Sequence, residues 1–175
     1  KVVDFCAGAG GKSLAMAATM NNSGRIVACD VSEARLTRAA QRFKRAGVFM
    51  VERRPLSSER DKWIKRRAGR HDGGFDRVLV DAPCSGTGTW RRNPDQKWRT
   101  SAQDIRELAA LQASILDSTQ RLVAPGGRLI YATCSILEEE NEAQVARFLA
   151  EHPSFFLHPI QEIWADILPG DCPVA

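Results

Sequence analysis

Two cysteines hang from the ends of apolar runs. Cys84 lies in LVDAPCSGTGTWRRNPDQKW, residues 79–98, and Cys134 in RLIYATCS, residues 128–135. A thiolate so placed can add to an electron-poor carbon, and a positive cofactor or basic side chain nearby would lower its pKa. Asp81, three residues before Cys84, is placed to hold or exchange a proton in the same cleft. The same residues allow other chemistries. Either cysteine alone could be a small buried apolar group. Cys6, Cys29, Cys84 and Cys134 all fall near strand ends and could share a zinc ion, although they lack paired spacing and a nearby histidine. A disulfide suits the chain poorly: the cysteines number five, an odd count, and most lie in or beside apolar segments, as reduced thiols do.

A second constellation stands at the start of the chain. DFCAGAGGKS, residues 4–13, is a Gly-rich turn between an apolar run and a helical pattern. Gly8, Gly10 and Gly11 let the backbone pass close to a ligand, and a helix N-terminus favours anionic groups. The turn does not fit GxGxxG, and a merely tight turn would look the same. Asp30, however, closes the next apolar run about 20 residues on, where a ribose hydroxyl ligand belongs. Together the two features point to a nucleoside cofactor without saying which one.

The elements that must position these residues can be read from the pattern. Apolar, β-branched runs at 1–6, 25–30, 48–52, 77–82 and 128–134 alternate with helical patterns at 11–20, 32–47, 57–69, 101–123 and 138–152. Ser32 caps the second helix and Gly47 stops it; HDGGFD and PGG read as turns. Such alternation predicts an α/β fold, a doubly wound parallel sheet with helices on both faces. Ligands bind such a sheet beyond the carboxyl ends of its strands, where strand order reverses. Consecutive strands are usually neighbours, so both thiols should open into one cleft close to the Gly-rich turn.

At 175 residues, 43% apolar and 26% charged, the chain fits one soluble globular domain, with no run long enough for a membrane span and no signal peptide. The net charge of +4 is concentrated in Arg42–Arg54, Lys62–Arg70 and Arg91–Arg99, groups that can track phosphates or simply face solvent. Trp90 and Trp98 are interleaved with Arg91, Arg92, Lys97 and Arg99, as in surfaces that stack and neutralise single-stranded RNA; a loop packed around its tryptophans is the other reading.

The motifs DFCAGAGGKS, DAPCSGTGTWRRNPDQKW and YATCSILEEENEAQV, in this order, resemble the RNA (cytosine-5) methyltransferase family, over Val2 to about Leu149. The resemblance implies a Rossmann-like class I methyltransferase sheet, S-adenosyl-L-methionine as cofactor, and methyl transfer to carbon 5 of cytosine through a covalent cysteine adduct. It implies Cys134 as nucleophile and Cys84 as the cysteine that assists product release. DNA cytosine methyltransferases instead use the cysteine of the PC motif, which keeps Cys84 open as the nucleophile. It also implies a cofactor turn of Cys6, Ala7, Gly8, Ala9, Gly10, Gly11 and Lys12, with Asp30 at the ribose and Asp81 between methionine moiety and cytosine. Lys12 is a charge in the site or a solvent-facing residue at a helix start.

Small-subunit ribosomal RNA is the expected partner, with transfer RNA the alternative. A cytoplasmic, monomeric protein without metal is expected, as is a catalytic domain over 1–175 whose N-terminal RNA-binding region and final strands lie outside the chain. Two departures stand out: AGAGGKS where the family usually has AAPGGKT, and VERRPLSS where it usually has an acidic residue near the adenine, which backbone or Arg54 would replace. The rivals are an RNA-binding module without activity and a nicotinamide-dependent oxidoreductase, which leaves the thiols and basic loop unexplained.

Overall fold

The computed structural model of the chain describes residues 1–68, 74–168 and 170–173, with residues 165 and 166 described by backbone alone. Strands β1 (Val2–Phe5), β2 (Ile26–Asp30), β3 (Val51–Pro55), β4 (Phe75–Asp81) and β5 (Val123–Ala132) form one sheet in the order β3-β2-β1-β4-β5. Every pairing is parallel. Helices α1 (Gly11–Thr19), α2 (Glu33–Arg45) and α3 (Lys62–Ala68) follow the first three strands. Helices α4 (Gln96–Arg99) and α5 (Ala102–Thr119) lead from β4 to β5, and α6 (Glu142–Glu151) and α7 (Ile160–Ile167) follow. This is the expected doubly wound fold. Strand order reverses beside β1, so the loops after β1 and β4 face one crevice.

The middle strands explain their apolar sequences. All of β1 and β2 is buried, and Val3, Ile26, Ala28, Phe75, Val78 and Val80 are fully enclosed. Burying each Val, Ile or Phe side chain among them is worth about 1.5–3 kcal/mol. On α2, Leu36, Ala39 and Phe43 recur at helical spacing and are the buried residues, while Ser32 caps the helix by accepting the Arg35 N–H. Ser101 and Asp104 form a reciprocal capping box at the start of α5.

Several boundaries differ from the sequence reading, each for a local reason. β3 starts at Val51 rather than Val48, because Gly47 and Val48 donate back to Lys44 and Phe43 and finish the end of α2. α3 starts at Lys62 rather than Ser57, because Asp61 accepts from the Ser57 N–H and hydroxyl and from the Trp63 N–H. Gly69, Arg70 and the first three residues of the HDGGFD turn lie outside the described residues. The PGG turn is absorbed into β5 as a bulge: Phe75 pairs with Val123, and Arg77 next with Arg128. The acidic run Glu138–Glu140 forms a single 3-10 turn, and α6 begins only at Glu142. No helix among the described residues is long and apolar enough to cross a membrane.

Candidate active site

The turn after β1 is shaped by left-handed backbone at Cys6 (φ 67°), Gly8 (φ 56°) and Gly10 (φ 78°). Gly10 is required twice over. Besides its φ, a Cβ there would lie 2.7 Å from Cζ of Phe43, so the buried Phe43 ring on α2 would have to shift. The Ala7 N–H donates to the Cys29 carbonyl at 2.8 Å, and Arg42 donates to the Ala9 carbonyl at 2.9 Å, covering the outside of the turn. Gly11 and Lys12 are exposed at the start of α1, whose first turn has no side-chain cap. Asp30 binds the two neighbouring turns together: Oδ2 accepts the Gly8 N–H and Oδ1 the Ser32 N–H, both at 2.8 Å.

Lys12 belongs to the crevice rather than to solvent alone. Its Nζ lies 2.6 Å from Oδ2 of Asp81, joining the turn after β1 to the end of β4. Beneath this pair sits Asp4, fully buried, a residue that sequence reasoning missed because it lies inside an apolar run. Ser13 donates to Asp4 Oδ2, while Oδ1 is buried without a partner. Burial raises the Asp4 pKa to about 6 against the lowering effect of Ser13. A carboxyl held above its unfolded value stabilises the fold below about pH 4, and that contribution is lost as pH rises through 6. The shift from 3.8 to about 6 corresponds to about 3 kcal/mol. The unfolding free energy of wild type relative to Asp4→Asn is therefore expected to fall by about that amount between pH 3 and pH 7 in denaturant titrations. A difference that stays flat across this range would contradict the assignment.

The two thiols meet beyond β4 and β5. Asp81 pairs with Ala132 in the sheet, and three and two residues further on the Cys84 and Cys134 sulfurs lie 3.2 Å apart. The Cys134 N–H also points at Cys84 Sγ, at 3.3 Å. Gly88 packs under this segment: its N–H donates to the Cys134 carbonyl, and a Cβ there would lie 2.8 Å from that oxygen. All five cysteines are free, Cys134 exposed and Cys84 half-buried.

Burial, followed by the Cys84 contact and the charge of Asp81, pushes the Cys134 thiol up to about 11. This differs from the lowered pKa expected of a thiol beside basic residues: Lys12 is spent on Asp81, and the nearest influences on Cys134 are acidic or thiol. Alkylation of Cys134 by iodoacetamide in the free protein is thus expected to be slow at pH 7.5 and to keep rising beyond pH 9.5. A rate already at its plateau by pH 8 would contradict this environment. Cys6 is pushed to about 12 by burial and by Asp30, Asp4 and Asp81, and Cys29 is also raised by burial, so both are inert thiols. Among the described residues, the side chains close enough to share one ion are Asp117, Glu151 and His152, not the four cysteines, and Arg147 already donates to Asp117 and Glu151.

The loop between β4 and α5 presents the aromatic and basic residues unequally. Trp98 is 84% exposed with Lys97 Nζ 5.6 Å from its ring centre, so it is no core residue. Trp90 is half-buried with its indole N–H unpartnered. A cavity of about 510 Å³ opens beside Cys84, lined also by Asn93, Gln96, Arg99 and Thr100. Elsewhere the basic groups are partly consumed by the fold: Arg67 is buried against Phe75, and Arg54 pairs with Glu52 at 3.7 Å and covers Trp63. Of the next two acids along, Glu59 accepts the Ser114 hydroxyl at 2.9 Å, and Asp61 is consumed in capping α3, where the backbone hydrogen bonds from Ser57 and Trp63 hold it down at about 2.

A parallel sheet of this order, with a Gly-rich turn and an acidic strand end at its switch point, defines the Rossmann-like class of nucleoside-binding α/β proteins. Within it, residues 1–167 match the model of the 16S rRNA methyltransferase RsmB/F family, and the chain belongs to that family. It is 42% identical over 158 residues to ribosomal RNA small subunit methyltransferase B of Klebsiella pneumoniae, covering 90% of this chain and 35% of that protein. The crystal structure of PH0851 superposes with a TM-score of 0.83 at 41% identity, covering 90% of this chain and 34% of the other. NSun6 from Pyrococcus horikoshii, crystallised with SFG, superposes with a TM-score of 0.74 at 28% identity over 86% of this chain and 36% of its own. The chain spans about a third of the length of the curated relatives it matches.

Proposed function

We propose that residues 1–175 carry the catalytic part of an enzyme that methylates carbon 5 of cytosine in RNA, with Cys134 as nucleophile and S-adenosylmethionine as donor. The observation that carries the reading is the pair of sulfurs 3.2 Å apart at neighbouring strand ends, beside the Lys12–Asp81 pair. One thiol can bond to the base while the other manages its departure. The residues also fit the donor. Asp30, whose oxygens already accept the Gly8 and Ser32 N–H groups, keeps further lone pairs that would accept a ribose hydroxyl; the uncapped start of α1 lies in the same turn, and a relative was crystallised with SFG, an analogue of S-adenosylmethionine. When bound, S-adenosylmethionine supplies an electrophilic methyl group on a positive sulfonium centre.

Carbon 5 of cytosine is a weak nucleophile. As Cys134 Sγ adds to carbon 6, the sulfur pair forms the S–C bond, the C5=C6 π pair shifts toward carbon 4 and makes carbon 5 enamine-like, and the thiol proton passes by way of Asp81 to the ring nitrogen. Asp81, held by Lys12, is assigned to the ring nitrogen, where a shared proton offsets the charge that builds on the base. Once carbon 5 carries the methyl group, its proton leaves to water at the open edge of the cleft. That C–H pair restores the double bond, and the C6–S bond breaks with its pair on Cys134. The Cys84 S–H is in position to donate to the departing sulfur. The greater exposure of Cys134 favours it over Cys84 as the attacking group.

Trp98, Lys97 and Arg99 would stack on and neutralise a splayed RNA strand next to the cavity at Cys84. The base itself must be extruded to reach the sulfurs. Small-subunit ribosomal RNA is the proposed substrate, as the relatives' names indicate, and the cytoplasm, with its reducing conditions, suits two working thiols. The test is methyl transfer by the full-length protein from labelled S-adenosylmethionine to ribosomal and transfer RNA, followed by digestion to nucleosides. Label in 5-methylcytidine from ribosomal RNA is expected; label in another nucleoside, or none in either RNA, would overturn the proposal.

A further inference from the structure

Glu140 is the third acid of a run whose first two members are exposed, yet its side chain is fully buried. Its Oε1 accepts the Ser85 N–H at 2.8 Å and Gln112 Nε2 at 2.9 Å, and its Oε2 accepts the Ser85 hydroxyl. Gln112 Nε2 also donates to the Pro83 carbonyl at 2.9 Å. Both residues flanking Cys84 are thereby tied to one carboxylate. The Glu140 carbonyl in turn accepts from the Tyr131 hydroxyl of β5 at 2.7 Å.

The next residue does the same for the other thiol. Asn141 Oδ1 accepts the Thr133 hydroxyl at 2.7 Å, and Nδ2 donates to the Ser135 and Leu137 carbonyls at 3.1 and 2.8 Å. Thr133 and Ser135 flank Cys134. Consecutive side chains therefore grip the chain on both sides of both cysteines. Resting on the two-thiol reading of the site, we infer that Glu140 and Asn141 are positioning residues, a clamp that sets the distance and orientation of the Cys84 and Cys134 sulfurs.

The arrangement is costly unless it is complete. Burial alone would raise the pKa of Glu140, but hydrogen bonds from Ser135, Ser85 and Gln112 outweigh it and hold the carboxyl below its usual range. In Glu140→Gln, an amide N–H₂ must face one of these donors, leaving buried groups unpaired. In Asn141→Asp, a carboxylate would face two carbonyl oxygens in place of a donor. Neither change touches a sulfur, so a lost function would act through geometry.

The closing experiment uses the full-length protein and two readouts. Phenylarsine oxide bridges two thiols only when both sulfurs reach one arsenic, forming two As–S bonds and releasing one water; it needs no RNA. Cys84→Ser supplies the blank for the remaining cysteines. In folded Glu140→Gln and Asn141→Asp, bridging affinity is expected to fall at least about 10-fold and kcat about 100-fold with KM little changed, as for a misplaced reacting group. A folded Glu140→Gln that keeps both wild-type bridging and wild-type kcat would overturn the clamp. If Glu140→Gln does not fold, Thr133→Val, nearly isosteric and lacking only the hydroxyl that Asn141 holds, decides the question. Weakened bridging with a kcat loss of about 10-fold supports the clamp, and no change in either overturns it. Absence of 5-methylcytidine with the wild type would overturn the assigned reaction instead, and bridging would still rule on the clamp.

Discussion

Replacing Cys134 by alanine is expected to reduce methyl transfer at least about 10⁴-fold, the scale on which removal of a covalent nucleophile is felt. Without the S–C6 bond, carbon 5 has no enamine character, and no other group among the described residues is poised to supply it. Cys84 is 3.2 Å away but less exposed than Cys134, so it is expected not to replace the missing nucleophile. RNA affinity should change little, because Trp98 and the basic loop are untouched. Single-turnover transfer from labelled donor, with filter binding in parallel, separates the two. Residual transfer within about 10-fold of wild type would show that Cys134 does not form the bond.

Replacing Cys84 by alanine is expected to fail later. Addition and methylation proceed, but the departing Cys134 sulfur loses its proton donor, and the methylated base stays attached. Ordinary RNA should then accumulate as a protein–RNA complex stable on a denaturing gel, with multiple turnover down at least about 100-fold and the first turnover largely retained. Cys134→Ala should show no such complex. The opposite pattern, a complex with Cys134→Ala and none with Cys84→Ala, would exchange the two roles.

The elements that proved legible in the sequence are those whose patterns carry a strong local signal. β1 and β2 are short buried runs in which only Asp4 and the closing Asp30 are charged, β4 is marked by Val78-Leu79-Val80, and α2 has both its Ser32 cap and the Leu36–Ala39–Phe43 stripe. The neighbourhood of Cys84 and Cys134 followed from parallel strands being consecutive, and the placement of Asp30 from the switch-point rule. What was not legible depends on tertiary contacts. Val48 looked like a strand residue but is taken by the end of α2, and Asp4 was hidden inside an apolar run. Glu140 was indistinguishable from Glu138 and Glu139 until Ser85 and Gln112, 55 and 28 residues away, were brought to it. The raised pKa of Cys134 likewise comes from burial and neighbours that no spacing rule reports. α7 lies beyond residue 152, where the last helical pattern read from the sequence ends, in a tail interrupted by Pro153, Pro159, Pro169 and Pro173.

The central claim is that Cys134 bonds covalently to cytosine during methyl transfer. RNA containing 5-fluorocytosine at the target position, incubated with the full-length wild-type protein and S-adenosylmethionine, tests it directly, because fluorine cannot leave carbon 5 as a proton does. A denaturant-stable complex is expected, and mass spectrometry of its peptides should place the modified nucleotide on Cys134. A complex mapped to Cys84, or the absence of any complex from a protein that methylates unmodified RNA, would contradict the account.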